Sequence, residues 1–508
     1  MAFRLVNGQD PPDADYVLDA LLRHNYLPCQ KPAAEELPPI FQSTSLTVEA
    51  ANKLAASKLR KHKIYQGYDA VEYKLTRFNS VSRCCSIPHP AAYVRLALCI
   101  YKNWDKLDYV SMNRHSMIRP RQHGDGRIIV MEGYGTSSTK TAMNLNDAFG
   151  CRFVVHTDIA NCFPSIYTHA IPWALVTMST AKKESGNPNM WYNRLDTAAR
   201  RLKRNETQGV AIGPATSNIM FEAILARVDQ ALEKQFVFRR FIDDYSAYCK
   251  TEEEAQCFIR RLSEELALYK LVLGIEKTEV FRLPQALSDD WTTRLSVALP
   301  RGRRVSAKAA VDYLDLAVRL APQWPNGSVL KYALKSLCGQ KLDSVAIQSV
   351  LEYALTLAFH EPVLLPLIET LLSRRQKDSA CSYSVQLQQI AQENARLRRS
   401  DGMVWALYYL YKYGLRLEKD TVDEVLKSRD CLGLLLLYYS GNKRQKTEVS
   451  KFATSLDPSD LYLLDQYWIL LYELFRDGSI VSSYADENAF EIMKSEGVSF
   501  VKARETVP

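Results

Sequence analysis

The sequence predicts an α+β fold followed by an all-α, helical-repeat region. Three observations lead there. Short β-branched and aromatic runs ("RIIVME", "CRFVVHTDI", "FVFRRFI") alternate with helical stretches from about residue 70 to 290. Beyond about residue 300 strand signals nearly vanish. There "LDSVAIQSVLEYALTLAF", "PVLLPLIETLLSRR" and "TVDEVLKSRDCLGLLLLYYSG" carry helical apolar spacing and are separated by short loops. Stacked helical hairpins of this kind suit a solenoid, although no strict repeat period is present. Residues 1–290 and 291–508 are the two domains this reading implies.

In chain order, "KPAAEELPPIF" at 31–41 is a Pro-rich connector after a short N-terminal segment. A helix is expected in "TVEAANKLAASKLRKHKIYQGY". "FVVHTDIANCFPSIY" is an apolar strand running into Asp158. In "ETQGVAIGPATSNIMFEAIL", Gln208 and Gly209 open a turn and Pro214 takes the first helical position. Phe221, Leu225, Val228 and Leu232 then keep a helical stripe. "FRRFIDDYSAYCKTEEE" reads as strand, acidic hairpin turn, strand and helix start, with Thr251 and Glu254 spaced as a capping box.

Composition narrows the function classes. The net charge of +8 allows a polyanionic partner. The eleven cysteines lack paired spacing, which points to reduced thiols and to no zinc site. The N-terminus has no apolar stretch of signal-peptide length, and the longest apolar run, "CLGLLLLYY", is too short to span a bilayer. A cytoplasmic protein with no membrane partner is expected.

Asp in a turn is common for local reasons. A second acid at the end of a neighbouring strand changes the reading, because Asp158 and Asp243 could then share divalent ions. Mg²⁺ is held by a few carboxylate oxygens plus substrate phosphates. Two such ions about 3.5–4 Å apart can activate an attacking oxygen and stabilise a leaving one.

"TDIANCFPSI", "QGVAIGPATSN", "FIDD" and "LGIEKTEVF" resemble motifs A, B, C and D of reverse transcriptases, in that order. Upstream, "RHSMIRPRQHGDGRIIVME" resembles the fingers hairpin whose basic residues contact the incoming triphosphate. The resemblance covers roughly residues 80–285 and implies a fingers-palm fold in the first domain. It implies two Mg²⁺ ions, with Mn²⁺ as the alternative, bound by Asp158 and Asp243 with the Ile159 carbonyl assisting. Asp244 is the second acid of a YxDD-like motif in which Phe241 replaces the tyrosine. Phe163 matches the aromatic steric gate, Gln208 the motif B glutamine near the nucleotide, and Lys277 the lysine near the leaving pyrophosphate. Arg127 matches the fingers arginine, with Arg119 or Arg121 as a second phosphate contact.

"RCCSIPHPAAYVRLALCIYKNW" and the long helical C-terminus resemble bacterial abortive-infection (Abi-type) reverse transcriptases, the prophage-borne Abi enzymes and their AbiK-like relatives nearest. In that group a HEAT-like helical-repeat domain stands where a thumb would be. The implied activity is antiphage polymerisation of dNTPs into DNA, untemplated and protein-primed, by a homo-oligomer whose DNA product stays covalently attached. The alternative is a template-dependent RNA-directed DNA polymerase of retron, group II intron or CRISPR-associated type; a catalytically dead palm serving as a nucleic-acid scaffold is a third reading. For priming, Tyr16 and Tyr26 precede the Pro-rich connector, where mobility is expected, and Tyr134 lies between two glycines near the fingers.

Overall fold

The computed structural model describes residues 11–33, 35–60, 62–77, 81–131, 137–325, 327–374, 381–484 and 487–502. Its strands form a hairpin and a sheet. The hairpin pairs β1 (Ala70–Thr76) with β2 (Ser82–Pro88). The sheet holds β3 (Phe153–Thr157), β4 (Val237–Phe241), β5 (Asp244–Cys249) and β6 (Glu279–Arg282). Every pairing in it is antiparallel, and the order is β4-β5-β3-β6. Helix Glu252–Leu268 packs across β3 and β5 and against helix Ala215–Leu232, whose apolar stripe is buried. This is the α+β half that the alternating runs predicted.

Several local expectations are corrected. The helix expected over 47–68 is Val48–Ala56, capped by the Thr47 side chain and followed by extended backbone at Ser57. Pro214 is the N-cap of its helix, one position before the expected place. Thr251 caps helix Glu252–Leu268, but the Glu254 carboxylate returns to the Lys250 amide and so does not close a reciprocal box. Residues 127–131, expected as a strand, form no strand. An antiparallel strand pair lies upstream instead, at β1 and β2.

From Val17 onward the N-terminal segment is core and not a mobile arm. Val17, Leu21, Leu22 and Tyr26 are fully buried. Asn25 exchanges hydrogen bonds with the Ile128 and Ile129 backbone, and its carbonyl accepts from the Ala215 amide. Such a segment satisfies buried backbone groups that would otherwise be orphaned.

The region beyond residue 300 is helical, with no named strand among the described residues. Helix Ser384–Arg396 packs on Ser400–Lys412 and on Lys419–Ser428, and Ser400–Lys412 packs on Cys431–Ser440. Helix Ser400–Lys412 also lies on β1, where the Asp401 carboxylate accepts from the Thr76 amide and hydroxyl at 2.8 and 2.9 Å. The chain then returns to its beginning. Trp468 Nε1 donates to the Ile87 carbonyl at 3.0 Å, and Phe41 bridges to Val501. Arg60 makes a bidentate pair with Asp465 at 2.7 and 2.9 Å and a second pair with Glu487 at 2.6 Å.

Candidate active site

Asp158 directly follows β3, Asp243 lies in the β4–β5 turn, and Asp244 opens β5. Thr157 pairs with Tyr245, so continuing the register sets Asp158 across from Asp244. The Ile159 amide donates to the Asp243 carbonyl at 3.2 Å. The three acids thus stand together at one end of the sheet because three consecutive backbone ends meet there.

The turn between β4 and β5 has two central residues, Ile242 and Asp243, since Phe241 pairs with Asp244. Ile242 has φ of +59°, where hairpins favour glycine and a β-branched residue is a true outlier. Such strain persists only when its surroundings impose it. Here Arg240, wholly buried, donates to the Ile242 carbonyl at 2.8 Å. Its guanidinium also bonds both Glu222 oxygens at 2.8 and 2.9 Å and Asp229 at 2.8 and 3.0 Å. Tyr245 donates to Asp229 at 2.9 Å. The two acids rise from helix Ala215–Leu232, so a buried ion cluster fixes the acid-bearing turn to the helix behind it.

Around Asp158 the packing is tight. Its Oδ2 accepts from Lys277 Nζ, and its Oδ1 is buried with no hydrogen-bond partner among the described residues. Gly274 donates its amide to the Asp158 carbonyl at 2.8 Å, and a Cβ at 274 would fall 2.0 Å from Oδ1. Glycine is needed there for space, because Oδ1 lies packed against it.

The electrostatics agree. Burial and then the negative charge of Asp158 raise the Asp243 carboxyl, opposed by its own backbone amide, Arg83 and Lys277. Desolvation and the like charges of Asp243 and Asp158 push Asp244 up to about 6. Asp244 is an exposed residue, so the like charges are the firmer cause. The hydrogen bond to Asp158 raises Lys277. Among the described residues no group of three or more His, Cys, Asp or Glu side chains forms a metal cage. Two carboxylates completed by water and phosphate are nevertheless what Mg²⁺ uses at polymerase-type sites. The unpartnered Asp158 oxygen and the crowded negative charge form a donor set that fits a hard divalent cation.

Phe163 is 5 % exposed and packs on Phe221 with ring centroids 5.2 Å apart. Gln208 is next to it, its side chain donating to the Pro164 carbonyl at 3.1 Å. The structure therefore brings Phe163 and Gln208 together beside the acids' loop, and brings Lys277 onto Asp158.

It does not free Arg127. Four guanidinium hydrogen bonds are made, from Nε to Asp125, from Nη1 to the Cys29 and Lys31 carbonyls and from Nη2 to the Pro32 carbonyl, and Nη2 also ion-pairs with Asp125 at 2.7 Å. Arg127 clamps the N-terminal segment, which corrects its expected triphosphate contact. Tyr26 is wholly buried, stacked on Tyr93 at 4.1 Å and bonded to the Pro88 carbonyl, so it cannot reach the acids without unpacking the core. The Tyr16 hydroxyl donates to the His123 and Arg127 carbonyls at 3.1 and 2.9 Å, which ties it to the same clamp and away from a mobile arm. Tyr134 lies outside the described residues.

Two basic residues were missed. Arg83, on β2, pulls the Asp243 carboxyl down, and Asp243 in turn acts on Arg77, just past β1. The signal was present in "AVEYKLTRFNSVSRCCSIP", two alternating runs with arginine at each side of their turn. Gly274 and Arg240 carried no comparable signal, because their roles depend on what folds against them.

Residues 92–316 match the family model described as reverse transcriptase (RNA-dependent DNA polymerase). That segment contains the stretches from "TDIANCFPSI" to "LGIEKTEVF". No curated protein matches the chain in sequence. Among solved structures, a Candida tropicalis telomerase truncated from its C-terminal domain is similar at 12% identity and TM-score 0.31, covering 47% of this chain and 55% of that one. The apo telomerase of the same organism is similar at 10% identity and TM-score 0.32, covering 79% and 72%. A Candida albicans telomerase in complex with a fragment of telomeric RNA is similar at 13% identity and TM-score 0.29, covering 80% and 70%. The chain spans about half the length of the first. At these scores the structural likenesses carry no argument. Among the described residues no helix is long and apolar enough to cross a membrane.

Proposed function

Starting from a reverse transcriptase domain over residues 92–316, we propose that this protein polymerises dNTPs into DNA with Asp158 and Asp243 as its metal-binding acids. The observation that carries the reading is the meeting of Asp158, Asp243 and Asp244 at one end of the sheet, with the buried Asp158 Oδ1 left without a hydrogen-bond partner among the described residues. Bound there, two Mg²⁺ or Mn²⁺ ions would supply activation of the attacking oxygen and neutralisation of the leaving one. Asp158 and Asp243 would hold them, with the Ile159 carbonyl assisting and Asp244 behind.

The chain's own groups do the rest. Lys277, released from Asp158, keeps a proton and a positive charge beside the leaving pyrophosphate. Arg77 and Arg83 replace Arg127 as the fingers contacts for the triphosphate, since Arg83 already acts on Asp243. Phe163 excludes a ribose 2′-OH and Gln208 orients the base end of the nucleotide. The Arg240 cluster holds Asp243 in place, so little reorganisation is needed at reaction.

The finer reading is an antiphage abortive-infection enzyme of Abi type that works without a template, primes on itself, assembles as a homo-oligomer and acts in the cytoplasm. It rests on the "SIPHP" block and on a HEAT-like reading of the helices, in which Ala307–Leu320 and Ser384–Arg396 each pack on the two helices that follow them. The test is incubation of the full chain with each labelled dNTP and Mg²⁺, with and without RNA template, followed by denaturation. Label migrating with protein in the absence of RNA is expected, and Asp243→Asn abolishes it while the fold is retained. Label appearing only with RNA and an oligonucleotide primer would select the template-copying alternative. Normal incorporation by Asp243→Asn would remove the acid assignment.

A further inference from the structure

A second concave site lies away from the acids, between β1 and the C-terminal helices. It is a cavity of about 500 Å³, within the size range of small-molecule pockets. Lys74, Arg398, Lys427 and Arg429 line it, opposed by Glu72 and Asp430. The acids do not cancel the cations equally. Glu72 pairs with Lys74 at 3.3 Å. Asp430 caps its own helix, accepting from the Gly433 amide at 2.9 Å, and also accepts from the Ser400 hydroxyl of the neighbouring helix at 2.5 Å. Lys427 pairs with Glu424 at 3.0 Å. The Arg398 and Arg429 guanidinium groups have no hydrogen-bond or ion-pair partner among the described residues.

Their backbones make these two arginines more telling. Both have φ of +53° at the ends of helices, where glycine is the residue that fits without strain. Two helix ends that would be easier with glycine instead carry arginine, and both arginines border one cavity. Tyr467, its hydroxyl held by the Arg429 carbonyl at 2.9 Å, adds a ring to the lining. Guanidinium groups match phosphate geometry, and an aromatic ring offers a stacking surface.

We propose that this cavity binds a phosphate-bearing ligand of nucleotide size, held by Arg398 and Arg429 with Tyr467 against its ring. The shared chemistry is a nucleoside phosphate, either free or at one position of a DNA strand. The inference does not depend on the polymerase reading. The site has a route to the acids: its β1 wall is tied through Thr76 to Asp401, and the same hairpin carries Arg77 and Arg83.

The test uses the full chain in EDTA, which removes metal-dependent binding at the acids. Fluorescent dATP, tripolyphosphate and a short oligo(dT) are titrated separately. Arg398→Gly/Arg429→Gly suits the left-handed backbone, so thermal stability should be unchanged or higher. Binding should weaken by at least about tenfold in that variant, as expected for losing charged hydrogen bonds. Lys427→Glu, on an exposed helix position, should weaken it in the same direction and serves if the double variant does not fold. Binding of dATP identifies the free nucleotide as the source, and binding of oligo(dT) alone identifies a strand. Absence of binding by all three probes, or equal binding by parent and variants, overturns the proposal. Asp243→Asn should bind these probes normally while failing to incorporate dNTP, which separates this site from the reaction.

Discussion

Two buried arginines organise this molecule in opposite ways. Arg240 bonds Glu222, Asp229 and Ile242, which lie 18, 11 and 2 residues away. Arg60 bonds Asp465 and Glu487, 405 and 427 residues away. The first cluster shapes a single turn and the acid it carries. The second closes the chain's two ends on each other, with the Arg60 guanidinium also 4.1 Å above the Tyr68 ring. A buried charge network close in sequence can serve geometry at a site; one spanning the whole chain serves assembly. Neither is a stability device by default, since desolvation consumes much of what pairing returns.

Arg240→Met would break the comparison hardest. It strands Glu222 and Asp229 without their cation, which should cost about 3–5 kcal/mol in denaturant unfolding. Incorporation should fall as well, because the strained Ile242 turn loses its anchor. Adding Glu222→Gln and Asp229→Asn removes the stranded charge. That triple variant should recover most of the stability and little of the activity. Full recovery of both would mean that Arg240 only balances charge.

Arg60→Met strands Asp465 and Glu487 in the same way and should cost about 3 kcal/mol. Here folded protein, assayed below its melting temperature, should incorporate dNTP near the parent rate. A proportionate loss of activity would instead tie the C-terminal helices to the acids.

A smaller effect is expected at Phe163. Its ring rests on Phe221, beside Glu222 on the helix that anchors Arg240. Phe163→Val should raise ribonucleotide use relative to deoxynucleotide by about tenfold or more, a size typical of steric discrimination in a pocket. Unchanged discrimination would make the residue core packing alone.

The smallest effect is in pH. Asp244 is raised to about 6 when no metal is bound. A carboxyl raised on folding binds its proton more tightly in the native state, so its favourable contribution is full below the unfolded value and is lost as pH rises toward 6. In EDTA the loss should stay below about 1 kcal/mol, because the residue is exposed. Mg²⁺ should flatten that slope, and Asp244→Asn should remove it. Arg60→Met, at the other end of the comparison, should leave it unchanged.

What the sequence determined by itself is the local chemistry. Strand runs ending in Asp158 and Asp243, the helical stripe through Phe221 to Leu232, the Thr251 cap and the helical tail all follow from neighbours a few residues apart. Periodicity and turn chemistry act at that range, so those elements were legible, as was the order of the stretches that resemble reverse transcriptase motifs. Only the tertiary structure decided the rest. Arg127 looked available for a phosphate until the N-terminal carbonyls of Cys29, Lys31 and Pro32 folded onto it. Tyr26 looked mobile until Tyr93 and the Pro88 carbonyl enclosed it. The need for glycine at 274 follows only from the Asp158 Oδ1, which lies 2.0 Å from where a Cβ would be. The physical reason is the same in each case. A side chain's chemical type is written in the sequence, but whether its hydrogen bonds and space are already taken depends on residues far away in the chain.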